Sequence, residues 1–144
     1  MKLLTHAYPW TKGDSDTQKK WMREFAEAGE THIVLSCGLL GEACKDPDYL
    51  IKFHKEMQNF GLDFVDGHAL WGEWSDLGMP LEEWHEQLIL RHKACFRFCS
   101  QFGVNTLAFH TGHTFNSIFG KDLKLDDYRK MLVRSLEEDR KSVV

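Results

Sequence analysis

Two histidines close short apolar runs in this chain, each where a strand would hand over to a loop. His110 ends the run Asn105-Thr106-Leu107-Ala108-Phe109-His110 and is followed by Thr111-Gly112. Alternation puts Thr106, Ala108 and His110 on one face and Leu107 and Phe109 on the other, the pattern of a strand whose bulky side packs against helices. His68 ends Phe64-Val65-Asp66-Gly67-His68 in the same way. Parallel α/β proteins carry their chemistry at the carboxyl ends of their strands. On neighbouring parallel strands the two rings would lie about 5 Å apart in the pairing direction. That spacing lets them share a divalent metal or each take one ligand oxygen.

Other residues can serve the same rim. His6 ends the first apolar run, Lys2 to Ala7, and His113 lies on the loop beyond His110. Trp71 and Trp74 follow His68, and indole faces of this kind stack on sugar C–H surfaces and exclude water. Glu42, Asp66 and Glu73 are the acids near strand ends; Asp66 is in phase with His68 and could orient its ring. None of them stands out as a general base. His85 and His92, seven apart among charged neighbours, read as a solvated helix face, and His32 and His54 read the same way.

The elements that must position these residues alternate in type. After Asp14, Ser15 and Asp16 as candidate caps, a helix is expected from about Thr17 to Ala28, closed by Gly29. Ile33 to Cys37 is an almost wholly apolar strand, and Gly38 and Gly41 mark a loop after it. Asp46-Pro47 opens a helix with Leu50, Phe53, Met57 and Phe60 on one face, closed by Gly61. The strand to His68 and a long loop follow. A helix from Leu81 to Phe102 then carries Leu81, Trp84, Leu88, Cys95 and Cys99 on one stripe and ends at Gly103. The strand to His110 comes next, and a last helix begins near Asp126 with Tyr128, Met131, Leu132 and Leu136. This is a βα unit repeated four times, which implies a four-stranded parallel sheet with helices on its outer face. A (β/α)₈ barrel needs eight units and roughly 250 residues. Four units make half of one, and residues 1–144 read as one α/β domain of that kind.

Composition narrows the class. Apolar content of 42% and charged content of 28% belong to an ordinary globular domain. A net charge of −4 argues against a general nucleic-acid binder. No apolar run is long enough to span a bilayer, and no leader-like segment opens the chain. Cys37, Cys44, Cys95 and Cys99 form no Cys-x-x-Cys pair and read as reduced thiols, so a cytoplasmic setting is expected.

The segments Leu107 to His113 (Leu-Ala-Phe-His-Thr-Gly-His) and Asp66 to Trp71 (Asp-Gly-His-Ala-Leu-Trp) resemble strands four and three of the xylose-isomerase-like TIM barrels. Ser135-Leu136-Glu137-Glu138 is similar to the end of that family's fourth helix. The likeness runs over the whole chain but only over the family's N-terminal half, and Thr111 replaces the proline that usually follows the strand-four histidine. Glu138 to Val144 carries no trace of a fifth strand. The resemblance implies a sugar or sugar-phosphate isomerase or epimerase that uses a divalent metal (Mn, Mg, Zn or Co), with His68 and His110 as ligands. His6, Trp71, Trp74 and His113 would then contact the sugar. The family's principal metal ligands and its base lie on strands five to eight, beyond this chain. The resemblance also allows an apurinic-endonuclease relative, against which the acidic balance argues, or a catalytically silent half barrel that binds a metal or a partner. Half a barrel leaves strand edges and an inner sheet face open, so self-association as a dimer, or pairing with a complementary half-barrel chain, is expected.

Overall fold

The computed structural model describes residues 15–72, 75–79, 81–111 and 124–140, with the side chains of 138–140 left out. Helices and strands alternate as α1 (Ser15–Glu27), β1 (His32–Leu35), α2 (Cys37–Ala43), α3 (Pro47–Asn59), β2 (Asp63–His68), α4 (Glu82–Gln101), β3 (Leu107–Ala108) and α5 (Leu125–Arg140). The fold is α/β, with a three-stranded parallel sheet ordered β1-β2-β3 among the described residues. The strand expected at Lys2 to Ala7 lies outside them.

The chain divides into two compact units, Met1–His68 with Phe98–Ala108, and Ala69–Arg97 with Phe109–Val144. The first holds the sheet. Ile33, Val34 and Leu35 of β1 are all buried, as a strand covered on both faces requires. Asp46 caps α3 through Oδ1, which accepts from Asp48 N at 3.1 Å, and Pro47 occupies the first turn. Leu50, Phe53 and Met57 then turn inward. Gly29, Gly61 and Gly103 all take positive φ, the left-handed turn that sends each helix toward its next strand.

Two expectations are corrected here. The segment after β1 is not a loop marked by Gly38 and Gly41 but the helix α2. Ser36 caps it, and Leu39, Leu40 and Ala43 are fully buried, so burial outweighs the cost of two glycines in one short helix. His54 is not a solvated residue either. Its ring stacks on Phe64 at 5.3 Å and meets Phe102 edge-on at 4.7 Å, while Nε2 lies 2.6 Å from Asp63 Oδ1.

The second unit packs Leu77 and Met79 against Leu88 and Ile89 of α4, with Leu81, Phe109 and Leu132 around them. No helix among the described residues is long and apolar enough to cross a membrane.

Candidate functional site

β2 reaches His68 through a bulge. Ile33 pairs with Phe64, but the next residue, Val34, pairs with Asp66, so Val65 is an extra residue on β2. The insertion changes which side chains share a face. Phe64 and Gly67 are both buried, whereas Val65, Asp66 and His68 are half-buried. A Cβ on Gly67 would lie 2.8 Å from Leu107 Cδ1 and 3.0 Å from Cys99 Sγ, which places residue 67 on the helix-packed side. Asp66 and His68 are thereby in phase with each other and off that side. Asp66 Oδ1 accepts from Gly67 N at 2.8 Å, an Asx-type bond that shapes the end of the strand. Burial pushes the Cys99 thiol up to about 11, and the charge of Asp66 adds to the effect.

β3 pairs in register with this end, Gly67 with Leu107 and His68 with Ala108. The expected alternation is present: Thr106, Ala108 and His110 are exposed, while Leu107 and Phe109 are half-buried. Phe109 meets His92 at 5.3 Å and Phe96 at 5.4 Å, both from α4.

His110 and Trp71 stand together in the second unit, with ring centroids 6.3 Å apart and planes inclined at 50°. Trp71 is half exposed, although Ala69 and Leu70 just before it are buried. An open indole face beside an imidazole offers an apolar platform and a hydrogen-bonding edge, a combination suited to a polyol or sugar ring. His68 belongs to the first unit. Among the described residues, no group of three or more His, Cys, Asp or Glu side chains could hold a metal ion. His6, Trp74 and His113 lie outside the described residues, as does the acid Glu73.

The segment that follows Trp71 is held by a network that sequence reasoning missed. Residues 75–79 are all buried, three of them polar or glycine. Asp76 Oδ1 accepts from Gly78 N at 2.9 Å and from Tyr128 Oη at 3.0 Å. Ser135 Oγ donates to the Leu77 carbonyl at 2.7 Å, and His92 Nε2 lies 2.9 Å from the Ser75 carbonyl. A carbonyl only accepts, so His92 carries its proton on Nε2 and leaves Nδ1 buried without a partner among the described residues. Burial holds the His92 pKa below the ordinary histidine range, partly offset by the bond to Ser75. His85 and His92 are therefore not a solvated face: both are buried, and it is Trp84 that is open to solvent. The spacing already carried a signal, because 85, 88, 92, 95 and 99 repeat at 3-4-3-4 and share a helix face with Leu88, Cys95 and Cys99.

No family model matches the sequence, and no curated protein matches it. Solved structures do match its fold. A D-psicose 3-epimerase determined in the presence of D-fructose is similar at TM-score 0.71 and 9% identity, over 99% of this chain and 50% of that one. The D-psicose 3-epimerase of Clostridium cellulolyticum H10 with D-tagatose gives 0.73 and 12%, over 99% and 48%. The apo 3-keto-D-glucoside 4-epimerase YcjR of E. coli gives 0.65 and 14%, over 99% and 52%. The chain thus spans about half the length of these proteins, and its α/β fold corresponds to about half of the TIM barrel of these sugar epimerases.

Proposed function

We propose that this chain is a xylose-isomerase-like half barrel that binds a sugar or sugar phosphate as part of an isomerase or epimerase. The supporting observation is the Trp71–His110 pair just past the ends of β2 and β3, in a fold matched along 99% of its length by sugar epimerases. In this reading Trp71 stacks on the C–H face of the sugar, and His110 beside it hydrogen-bonds the hydroxyls. His6, Trp74 and His113 complete the rim. A divalent metal with His68 or His110 among its ligands would polarise a carbonyl, though the described residues hold no group of three or more His, Cys, Asp or Glu side chains for it. We further propose that the chain works in the cytoplasm as a single domain, and covers its strand edges by self-association or by a complementary half-barrel chain.

Ligand-observed NMR with D-fructose, D-psicose and D-tagatose tests the reading. Saturation transfer to at least one ketohexose is expected, with loss in Trp71→Ala and at least a tenfold weakening in His110→Ala. Absence of transfer from every sugar, with and without Mn²⁺, would overturn it. Cleavage of an abasic-site duplex by the same preparation would favour the endonuclease alternative instead.

A further inference from the structure

The Trp71–His110 pair is formed by two segments that follow different strands, and one buried side chain of α4 touches both segments. His92 is 1% exposed, on the face of α4 that also carries Leu88 and Cys95. Its Nε2 donates to the Ser75 carbonyl at 2.9 Å. Its ring meets that of Phe109 at 5.3 Å, with the planes inclined at 47°.

Each contact is one short step from the pair. Ser75 lies beyond Trp71 in the chain, but its N–H donates to the Gly72 carbonyl at 3.0 Å. A closed turn thus joins the residue after Trp71 to the residue that His92 holds. Phe109 immediately precedes His110, and alternation turns its ring toward His92 and Phe96 of α4 while His110 is exposed. Fixing the Phe109 ring therefore fixes the peptide from which His110 departs. Trp71 is itself half exposed, so its own packing sets its distance from His110 only in part. His92 also carries a burden that an apolar residue would avoid. Its Nδ1 is buried without a partner among the described residues, whereas leucine would fill the same face with no orphaned acceptor. What leucine could not supply is the bond to Ser75.

We infer that His92 is a positioning residue, which ties the Gly72–Ser75 turn to Phe109 and so holds Trp71 and His110 beside each other. At 1% exposure it is out of reach of a ligand and acts only through those neighbours. Its value to a binding site rests on the sugar reading above, but the geometry it enforces does not.

Proton–proton NOE spectroscopy of the full chain, without sugar, gives the test. A cross-peak between the Trp71 indole and the His110 imidazole is expected at a centroid separation of 6.3 Å, and its absence from Trp71→Phe identifies it. His92→Leu should abolish it. His92→Gln, whose amide donates from the place of Nε2, should keep it. Ser135→Ala controls for general loosening: it removes the bond to the Leu77 carbonyl, beyond the turn, and the cross-peak should survive. If His92→Leu does not fold, Phe109→Leu, which removes the ring contact and spares the Ser75 bond, must weaken the signal. The proposal is overturned by a wild-type chain without the cross-peak, or by a cross-peak that is unchanged in His92→Leu or Phe109→Leu. Loss of the signal in His92→Gln, or equally in Ser135→Ala, overturns it too. D-fructose should bind His92→Leu about tenfold more weakly than His92→Gln. Binding of no sugar by any form would count against the sugar reading alone, because the cross-peak decides the role of His92 without it.

Discussion

Gly78 offers a strict test of how the segment after Trp71 is held. A Cβ added there would lie 2.0 Å from Tyr128 Cε2 and 2.6 Å from both Cδ2 and Cζ. No side-chain atom tolerates 2.0 Å, so either the backbone at residue 78 or the Tyr128 ring must move. The ring is poorly placed to yield, because it is buried and its hydroxyl is bonded to Asp76 at 3.0 Å. Overpacking of this kind costs about 1–3 kcal/mol. If the ring swings out, Asp76, itself fully buried, loses the Tyr128 donor, and a hydrogen bond to a charged group contributes about 1.5–3 kcal/mol. Gly78→Ala should therefore destabilise the protein by about 3–5 kcal/mol, a large share of the 5–15 kcal/mol typical of a domain. Urea denaturation at 25 °C, followed by tryptophan fluorescence, measures it directly. Tyr128→Ala supplies the control, since without the ring the same Gly78→Ala change should cost less than about 1 kcal/mol. A loss below about 1 kcal/mol in the wild-type background, or equal losses in both, would refute the reasoning.

Two further predictions concern titration and thiol chemistry. The His92 pKa is lowered in the folded state, so the unfolded chain takes up the proton more readily. The contribution of His92 is then fully present above the unfolded value near 6.5 and lost as pH falls below it. Stability measured from pH 7.5 down to 5 should decline, and His92→Gln, which keeps a donor toward Ser75, should flatten that decline; an unchanged slope would count against the buried neutral imidazole. Among the four free cysteines only Cys44 is exposed, and the Cys99 thiol is pushed up to about 11. A chromogenic disulfide reagent at pH 8 should therefore titrate one thiol per chain quickly and the other three only on unfolding; two or more fast thiols would contradict the burial of Cys37 on α2 or of Cys95 and Cys99 on α4.

Local chemistry made much of the architecture legible in advance. Glycines at 29, 61 and 103 end helices because they adopt a conformation that costs other residues energy, and all three do so here. Asp46-Pro47 starts α3 by capping and by a preset φ, and alternation sorts residues 106–110 correctly into open and packed faces. These are short-range effects, set by a residue and its near neighbours. The half-barrel count also came from such signals, and the solved sugar epimerases carry the matching fold.

What the tertiary structure alone decided depends on partners distant in sequence. The bulge at Val65 exists only as a mismatch between β1 and β2, so no property of the Phe64 to His68 run could reveal that Phe64 and Gly67, three residues apart, are both buried, although alternation did put Asp66 and His68 in phase. The glycine-containing segment after β1 becomes α2 because the unit buries Leu39, Leu40 and Ala43, a gain that local propensity does not contain. His54, His85 and His92 looked like surface residues because histidine is usually wet. Burial of His54 depends on Phe64 and Phe102, and that of His92 on Phe109 and the Ser75 carbonyl. Asp76 is the extreme case: in sequence it is an acid in a polar loop, and in the fold it is buried with the Tyr128 hydroxyl, 52 residues away, donating to it alongside Gly78 N.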